Sequence, residues 1–379
     1  MTKLLTIVGA RPQFIKAAAL SRVLQEDNKN RIQDLILHTG QHYDSNMSEI
    51  FFAEMQIPKP VFKLDIGSGS HGAQTGRMLG GIEEIILKEK PDGVLVYGDT
   101  NSTLAGALAG AKLHVPVIHV EAGLRSFNKR MPEEINRVSC DHMSTLLFTP
   151  TETGIRNLKR EGIVHHPQQK LDADHPGVYH CGDVMYDNTL FYKKLAEEKS
   201  DILNKLGFEE EGYFLATMHR PSNTDDPKHL ADILHALAAV AERHNAPVLL
   251  PLHPRTRAII ERRKDLQLPP DDRLRLLPPA SFLDMIRLEA GARLILTDSG
   301  GVQKEAWFLE KAVVVMRDET EWVEIIEAGN GRLSGPDPAK IVDAAAHFMA
   351  EPPVRFPPIF GKGQAARQIL DVIGSANWR

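Results

Sequence analysis

The chain has 379 residues, too many for one compact core, so two domains are expected. Hydrophobic residues make up 42% and charged residues 25%, ordinary for a soluble globular enzyme. Lys plus Arg is 45 against 50 for Asp plus Glu, and the net charge of -5 lacks the positive excess on which non-specific nucleic-acid binding rests.

No apolar stretch approaches the length of a membrane span. Cys140 and Cys181 stand in no C-x-x-C arrangement, so neither a disulfide framework nor a cysteine zinc site is indicated. Leu4 to Val8 reads as a first buried strand, not a signal peptide, and a cytoplasmic protein is expected. The strand ends in Gly9-Ala10-Arg11-Pro12, and a helix is expected from about Gln13 to Gln25. Arg11 then lies in the loop and Lys16 in the first turn, where cations beside a helix N-terminus make a seat for phosphate or carboxylate. Taken alone, the two would read as solvated surface charges. Leu35 to His38 is a second strand ending at Thr39-Gly40-Gln41-His42, with His42 a binding candidate. Gly67-Ser68-Gly69-Ser70-His71-Gly72 spells the dinucleotide pattern G-x-G-x-x-G, but Lys63 and Asp65 make the preceding stretch a poor buried strand. A flexible loop leading into a helix from Gln74 to Lys88 explains those glycines without a ligand.

The most informative stretch runs from Val94 to Arg137. An apolar run, Val94 to Tyr97, stops at Gly98-Asp99, and small residues from Ser102 to Leu113 suit a helix packed closely on a sheet. A second apolar run, Val115 to Val120, stops at Glu121. Strand, helix and strand in this order make a right-handed crossover with parallel strands, and ligands sit beyond the carboxyl ends of such strands. Asp99 and Glu121 therefore face one crevice, and Glu133 and Glu134 follow in a Pro-initiated segment opening a helix. Carboxylates gathered at such a crevice suit proton transfer to or from a bound substrate.

Thr145 to Thr149 is a further strand and Glu152 to Glu161 a helix, while His165 to Gly177 is polar and reads as an exposed connection. Strand pattern returns at Val178, followed by a helix through about Leu206, and the domain boundary is placed between 177 and 178. The second half repeats the alternation. Tyr213 to Met218 ends at His219-Arg220, Val248 to Leu252 ends at His253-Pro254, and a strand lies near Leu274 to Leu277. Leu294 to Thr297 stops at Asp298-Ser299-Gly300-Gly301, and Ala312 to Met316 ends in Arg317-Asp318. Helices are expected at Lys228 to His244, Ser281 to Glu289, Trp322 to Glu327, Ala339 to Ala350 and Gly363 to Ile373. The fold class is α/β: two doubly wound Rossmann-like domains, 1–177 and 178–362, with a cleft between them.

Asp298-Ser299-Gly300-Gly301 is the strongest anion signal, since two glycines at a strand-to-helix junction open backbone N–H groups to ligand oxygens. Glu305 lies one turn further on, where a carboxylate can accept bonds from ribose hydroxyls. The similarity of D-S-G-G to a serine-protease motif is rejected because no partner histidine and aspartate follow from the order. Sixteen histidines contain no H-E-x-x-H, H-x-H or Cys/His cluster, so no metal is expected.

Taken together, these residues resemble the non-hydrolysing UDP-N-acetylglucosamine 2-epimerases over nearly the whole chain. The resemblance rests on Gly9-Ala10-Arg11-Pro12 with Lys16, Gly98-Asp99-Thr100, His119-Val120-Glu121-Ala122-Gly123-Leu124-Arg125, Pro132-Glu133-Glu134 and His219-Arg220. It continues through Thr297-Asp298-Ser299-Gly300-Gly301-Val302-Gln303-Lys304-Glu305-Ala306, Met316-Arg317-Asp318 and Gly361-Lys362-Gly363-Gln364-Ala365. It implies a GT-B-like pair of domains, a homodimer, a UDP-sugar substrate, and neither nicotinamide nor metal. It also implies that the C-terminal helix, 363–379, crosses back onto the first domain. The implied chemistry is loss of the C2 proton and of UDP to give a 2-acetamidoglucal, then re-addition with C2 inverted.

By match to the family, Asp99, Glu121 and Glu133 are the acid/base candidates, and His219 assists the departing diphosphate. Arg11, Lys16, Arg220, Phe282, Ser299, Gly300, Gly301 and Glu305 would hold UDP, with Gln41 and His42 as further sugar-site candidates. Where many members have Arg-Pro after Thr-Glu, this chain has Trp322-Val323, losing a cation near the nucleotide. Pro221-Ser222 stands where Arg-Glu is usual, and Ala73 where substrate-regulated bacterial members carry Arg, which puts activation by UDP-GlcNAc in question. Gln41-His42-Tyr43-Asp44 and Glu321-Trp322-Val323-Glu324 look similar to a branch acting on UDP-2,3-diacetamido-2,3-dideoxyglucuronic acid.

Overall fold

The computed structural model describes residues 1–26, 31–41, 57–166, 169–263 and 273–378, so His42 lies outside the described residues. The chain forms two compact units, Met1–Asn188 with Ile359–Arg379, and Thr189–Pro358.

In the first unit, β1 (Thr2–Val8), β2 (Ile32–His38), β3 (Phe62–Lys63), β4 (Gly93–Tyr97), β5 (Val117–Val120), β6 (Leu146–Thr149) and β7 (Gly177–His180) form one sheet. Their order is β3-β2-β1-β4-β5-β6-β7, and every pairing is parallel. Parallel strands covered by helices on both faces are buried throughout, which is why Val94–Tyr97 reads as an unbroken apolar run. The helix Asn101–Lys112 begins with a reciprocal cap between Thr100 and Thr103. Its small residues let it lie close to the sheet: a Cβ on Gly106 would stand 3.0 Å from side-chain carbons of Ile7 and Val96. The C-terminal helix Ala365–Ser375 belongs to this unit, its first amides Ala365 and Ala366 donating to the Asp187 carboxylate at 3.0 and 2.8 Å.

The second unit carries β8 (Phe214–Thr217), β9 (Val248–Pro251), β10 (Leu274–Leu277), β11 (Ile295–Thr297), β12 (Val313–Val315) and β13 (Gly331–Leu333). The order β10-β9-β8-β11-β12-β13 is again wholly parallel. Leu234, Leu237, Leu250, Leu296, Val314 and Phe348 are among the side chains of its core. In each sheet the order reverses once, between β1 and β4 and between β8 and β11. Ligands of doubly wound sheets bind outside the strand ends at that reversal.

Several boundaries differ from expectation. The helix after β1 spans Arg11–Glu26, so Arg11 opens the helix instead of preceding it and Lys16 sits in its second turn. Pro12 suits a first turn, whose N–H groups are unbonded anyway. The helix expected through Leu206 is two, Val184–Lys199 and Ile202–Leu206, parted where Ser200 turns its hydroxyl to Asp284 at 2.5 Å. Short helices Pro221–Thr224 and Pro254–Arg262 were not legible as periodic segments; each has proline at its first position. Of the Gly67–Gly72 stretch, Gly67–Ser70 is a loop after the two-residue β3, and His71 and Gly72 already open the helix His71–Glu89, three residues earlier than expected.

Candidate active site

The first unit gathers its charges where the strand order reverses. Glu121, immediately after β5, holds a left-handed backbone (φ 75°), costly for a residue with a Cβ. Its carboxylate is ion-paired with the Lys16 ammonium, both side chains largely buried. Gly98, after β4, lies beneath this pair: a Cβ there would stand 3.1 Å from Glu121 Oε2 and 3.2 Å from Lys16 Nζ. The next residue, Asp99, is ion-paired with Arg137, and its carbonyl accepts from Asn136 Nδ2 at 2.8 Å.

Arg137 also holds Glu134 at 2.8 Å. Glu134 is buried and accepts from the Ser126 and Phe127 amides, each at 2.9 Å. Burial alone would raise its pKa, but the Ser126 and Arg137 donors hold it below the ordinary glutamate value. Glu133, its neighbour on the first turn of the helix Pro132–Met143, is exposed. Adjacent helical residues point about 100° apart, so one glutamate clamps the loop while the other faces solvent. Gln41 is buried, and its Oε1 accepts from Ser102 N and Oγ at 2.8 and 2.7 Å. Arg11 is half-buried at the start of its helix.

The Gly9-Ala10 loop is held by Gln13, whose Oε1 accepts from Gly9 N at 2.8 Å and whose Nε2 donates to Tyr97 O at 2.9 Å. Gln13, Asn136 and Arg137 were missed by the sequence reading, because a polar residue in a helix carries no local sign of which strand end it will reach. The spacing Glu133-Glu134-x-x-Arg137 was the one available signal, since residues three and four apart share a helix face.

The second unit places its candidates at the corresponding reversal. Asp298 is buried and accepts from the backbone amides of His219 (3.0 Å) and Arg220 (3.0 Å) and from Asn223 Nδ2 (3.1 Å). It thereby ties the turn after β8 to the turn after β11. Ser299 caps the helix Gly300–Phe308 through Val302 N. Beside Gly300 stands Glu321, which is bonded through both oxygens to Arg317 at 2.9 and 3.0 Å and lies 3.9 Å from Arg220. Trp322 packs beneath the Lys304 ammonium, 4.3 Å from the ring centre, so a cation stands next to the position at which many members of the resembled family carry arginine. Surrounding protein lowers the His219 pKa, His253 adding to the effect and Asp298 opposing it, so the imidazole is neutral at neutral pH. Burial pushes the Glu305 carboxyl up to about 7, against the Lys304 charge. Phe282 opens the helix Phe282–Gly291, edge-on to Tyr192 with ring centres 5.0 Å apart. Among the described residues no His/Cys/Asp/Glu cluster could hold a metal ion, and no helix is long and apolar enough to cross a membrane.

The sequence profile of the UDP-N-acetylglucosamine 2-epimerase family matches residues 24–374. The chain is 48% identical over 371 residues to the UDP-2,3-diacetamido-2,3-dideoxy-D-glucuronate 2-epimerase of Pseudomonas aeruginosa, covering 98% of this chain and 99% of that protein. It is 40% identical over 378 residues to the UDP-N-acetylglucosamine 2-epimerase of Methanocaldococcus jannaschii, covering 98% of each. The crystal structure of the M. jannaschii enzyme in complex with UDP-GlcNAc and UDP superposes with a TM-score of 0.80, over 98% of this chain and 99% of that one, at 40% identity. With a family match spanning most of its length and relatives covered end to end, this chain belongs to the UDP-N-acetylglucosamine 2-epimerase family.

Proposed function

We propose that the chain inverts C2 of a UDP-linked 2-acetamido sugar by eliminating and re-adding UDP. The observation that carries this reading is the pair of carboxylates at the ends of adjacent parallel strands, Asp99 after β4 and Glu121 after β5, each matched to a largely buried cation. A base takes the C2 proton, the C–H electron pair closes the C1–C2 double bond, and the C1–O bond breaks with its pair passing to the diphosphate. Protonation of C2 on the opposite face and return of UDP to C1 complete the inversion. One carbon must meet a base on one face and an acid on the other, so a single carboxylate does not suffice. Asp99, Glu121 and Glu133 fill these roles, and neutral His219 donates to the departing diphosphate.

In the second unit, Arg220 and the helix N-terminus formed by Ser299, Gly300 and Gly301 hold the diphosphate while the glycal waits; in the first unit, Arg11 and Lys16 are the anion-binding groups. Charge-assisted hydrogen bonds contribute about 1.5–3 kcal/mol each, which favours recombination over release. Glu305 accepts from the ribose hydroxyls, and Phe282 lies against the uracil ring. Removing and restoring one proton leaves no net redox change, so the reaction itself calls for no nicotinamide.

UDP-N-acetylglucosamine is the substrate we assign, interconverted with UDP-N-acetylmannosamine for bacterial surface-polysaccharide precursor synthesis. A second reading, UDP-2,3-diacetamido-2,3-dideoxyglucuronic acid, is favoured by the 48% identity to the P. aeruginosa enzyme and by Trp322-Val323. A substrate of either kind fits a cytoplasmic homodimer. The test is incubation of the enzyme with each sugar nucleotide in D₂O while C2 is followed by NMR. Deuterium entering C2 without any acceptor supports the epimerase; release of free sugar, or no exchange with either substrate, sinks it. Glu121→Gln is expected to lower turnover by roughly 10²–10⁴ with UDP binding kept.

A further inference from the structure

Beneath the two carboxylates of the first unit lies a chain of charges, buried at its inner end and reaching the surface at Glu161, that the proposed chemistry does not use. His119, inside β5, is fully buried. Its Nδ1 lies 2.7 Å from Asp141 Oδ1, and its Nε2 lies 2.8 Å from the carbonyl oxygen of Gly98. Both partners are acceptors, and a neutral imidazole carries only one N–H, so only the imidazolium satisfies both contacts. Burial by itself disfavours that cation, but the Cys140 sulfur and the Asp141 carboxylate more than reverse this, and the pKa of His119 is raised. Asp141 is equally buried; its other oxygen accepts from Gly123 N at 3.1 Å and Arg125 Nη1 at 2.7 Å. Arg125 in turn is held by both oxygens of Glu161 at 2.8 Å. Four charges thus alternate from β5 outward, with Cys140 the remaining ionisable group facing the imidazole.

This chain is anchored on two turns. Gly98 O belongs to the residue just before Asp99, and Gly123 N to the loop just after Glu121. Both turns are left-handed: Gly98 at φ 63°, which glycine adopts freely, and Glu121 at φ 75°, where a residue with a Cβ is strained and needs contacts that outweigh the cost.

We propose that His119 and Asp141 are positioning residues that fix the separation of the Asp99 and Glu121 carboxylates through Gly98 O and Gly123 N. The inference rests on the acid/base roles given to Asp99 and Glu121 above. The pair touches no substrate and exchanges no proton in turnover; it sets the distance at which the two carboxylates flank C2.

Two isosteric substitutions separate the halves of the contact. Asn places its amide near the position of Nδ1 and Gln near that of Nε2. His119→Gln therefore keeps the donor to Gly98 O, and His119→Asn loses it. The expected result is a kcat for His119→Asn lowered roughly 10²-fold, with KM and UDP affinity unchanged, since misplacement by about 1 Å costs on that order. His119→Gln is expected to recover most of that loss. Equal kcat values in the two variants, whether both normal or both reduced, overturn the proposal. Should either variant fail to fold, ¹⁵N NMR of the wild-type imidazole decides instead: both nitrogens are expected to stay protonated above the ordinary histidine range, and a neutral ring overturns the assignment. Failure of the epimerase reading shows separately, as absence of C2 exchange in the wild-type enzyme.

Discussion

At the scale of single residues, charge and burial decide what a side chain does. Glu289 and Glu305 sit on two helices packed together, Phe282–Gly291 and Gly300–Phe308, and Glu289 Oε2 is buried without a hydrogen-bond partner among the described residues. Burial, reinforced by the Glu305 charge, raises the Glu289 pKa well above the glutamate value, and burial lifts Glu305 to about 7. A raised carboxyl pKa means that the folded state binds the proton more tightly than the unfolded chain. The stability it contributes is complete below pH 4.5 and is lost as pH rises through about 7. Glu289→Gln should therefore leave the melting temperature nearly unchanged at pH 4.5. At pH 8 it should raise stability by at least about 1 kcal/mol, the cost of an unsatisfied buried polar group. Equal shifts at both pH values would remove the carboxylate as the cause. Asp99 and Glu121 were legible at this scale because each ends an apolar run, a local signal. Their partners were not: Lys16 reaches Glu121 from 105 positions away.

Elements show a second level of decision. Gly106 and Gly80 look alike in the sequence, each a glycine inside a helix. A Cβ on Gly106 would press on Ile7 and Val96 at 3.0 Å, whereas among the described residues nothing lies within 4 Å of one on Gly80. Gly106→Val is expected to destabilise the first unit by about 1–3 kcal/mol through overpacking. Gly80→Ala is expected to stabilise it by about 0.8–1 kcal/mol through helix propensity. Urea unfolding of both variants, read as midpoint shifts at constant slope, checks the contrast. Apolar runs of four or five residues marked the strands well, since strands buried on both faces need no alternation. Short Pro-initiated helices escaped, because four to nine residues hold too few turns for a period to show.

On the scale of the whole molecule, the chain returns to its beginning. Gly182 and Gly361 approach so closely that a Cβ on Gly182 would stand 2.6 Å from Phe360 O. The helix Ala365–Ser375 then lies in the first unit with the helix Arg11–Glu26, and Trp378 is buried against Gly93 of β4. Trp378→Ala is expected to cost the first unit about 3–5 kcal/mol, the usual loss for a large buried aromatic. An unfolding curve that loses only its first-unit component would agree, and an unchanged curve would refute the packing role.

By itself, the sequence determined the alternation of strand and helix, the polar groups at strand ends and the family resemblance. All of these are written in neighbouring residues. Only the tertiary structure decided which charges meet. Lys16 with Glu121, Arg137 with Asp99, and His119 with Asp141 depend on strand order and helix docking. Parallel strands joined by crossover helices bring together residues tens of positions apart, and no local pattern encodes that distance.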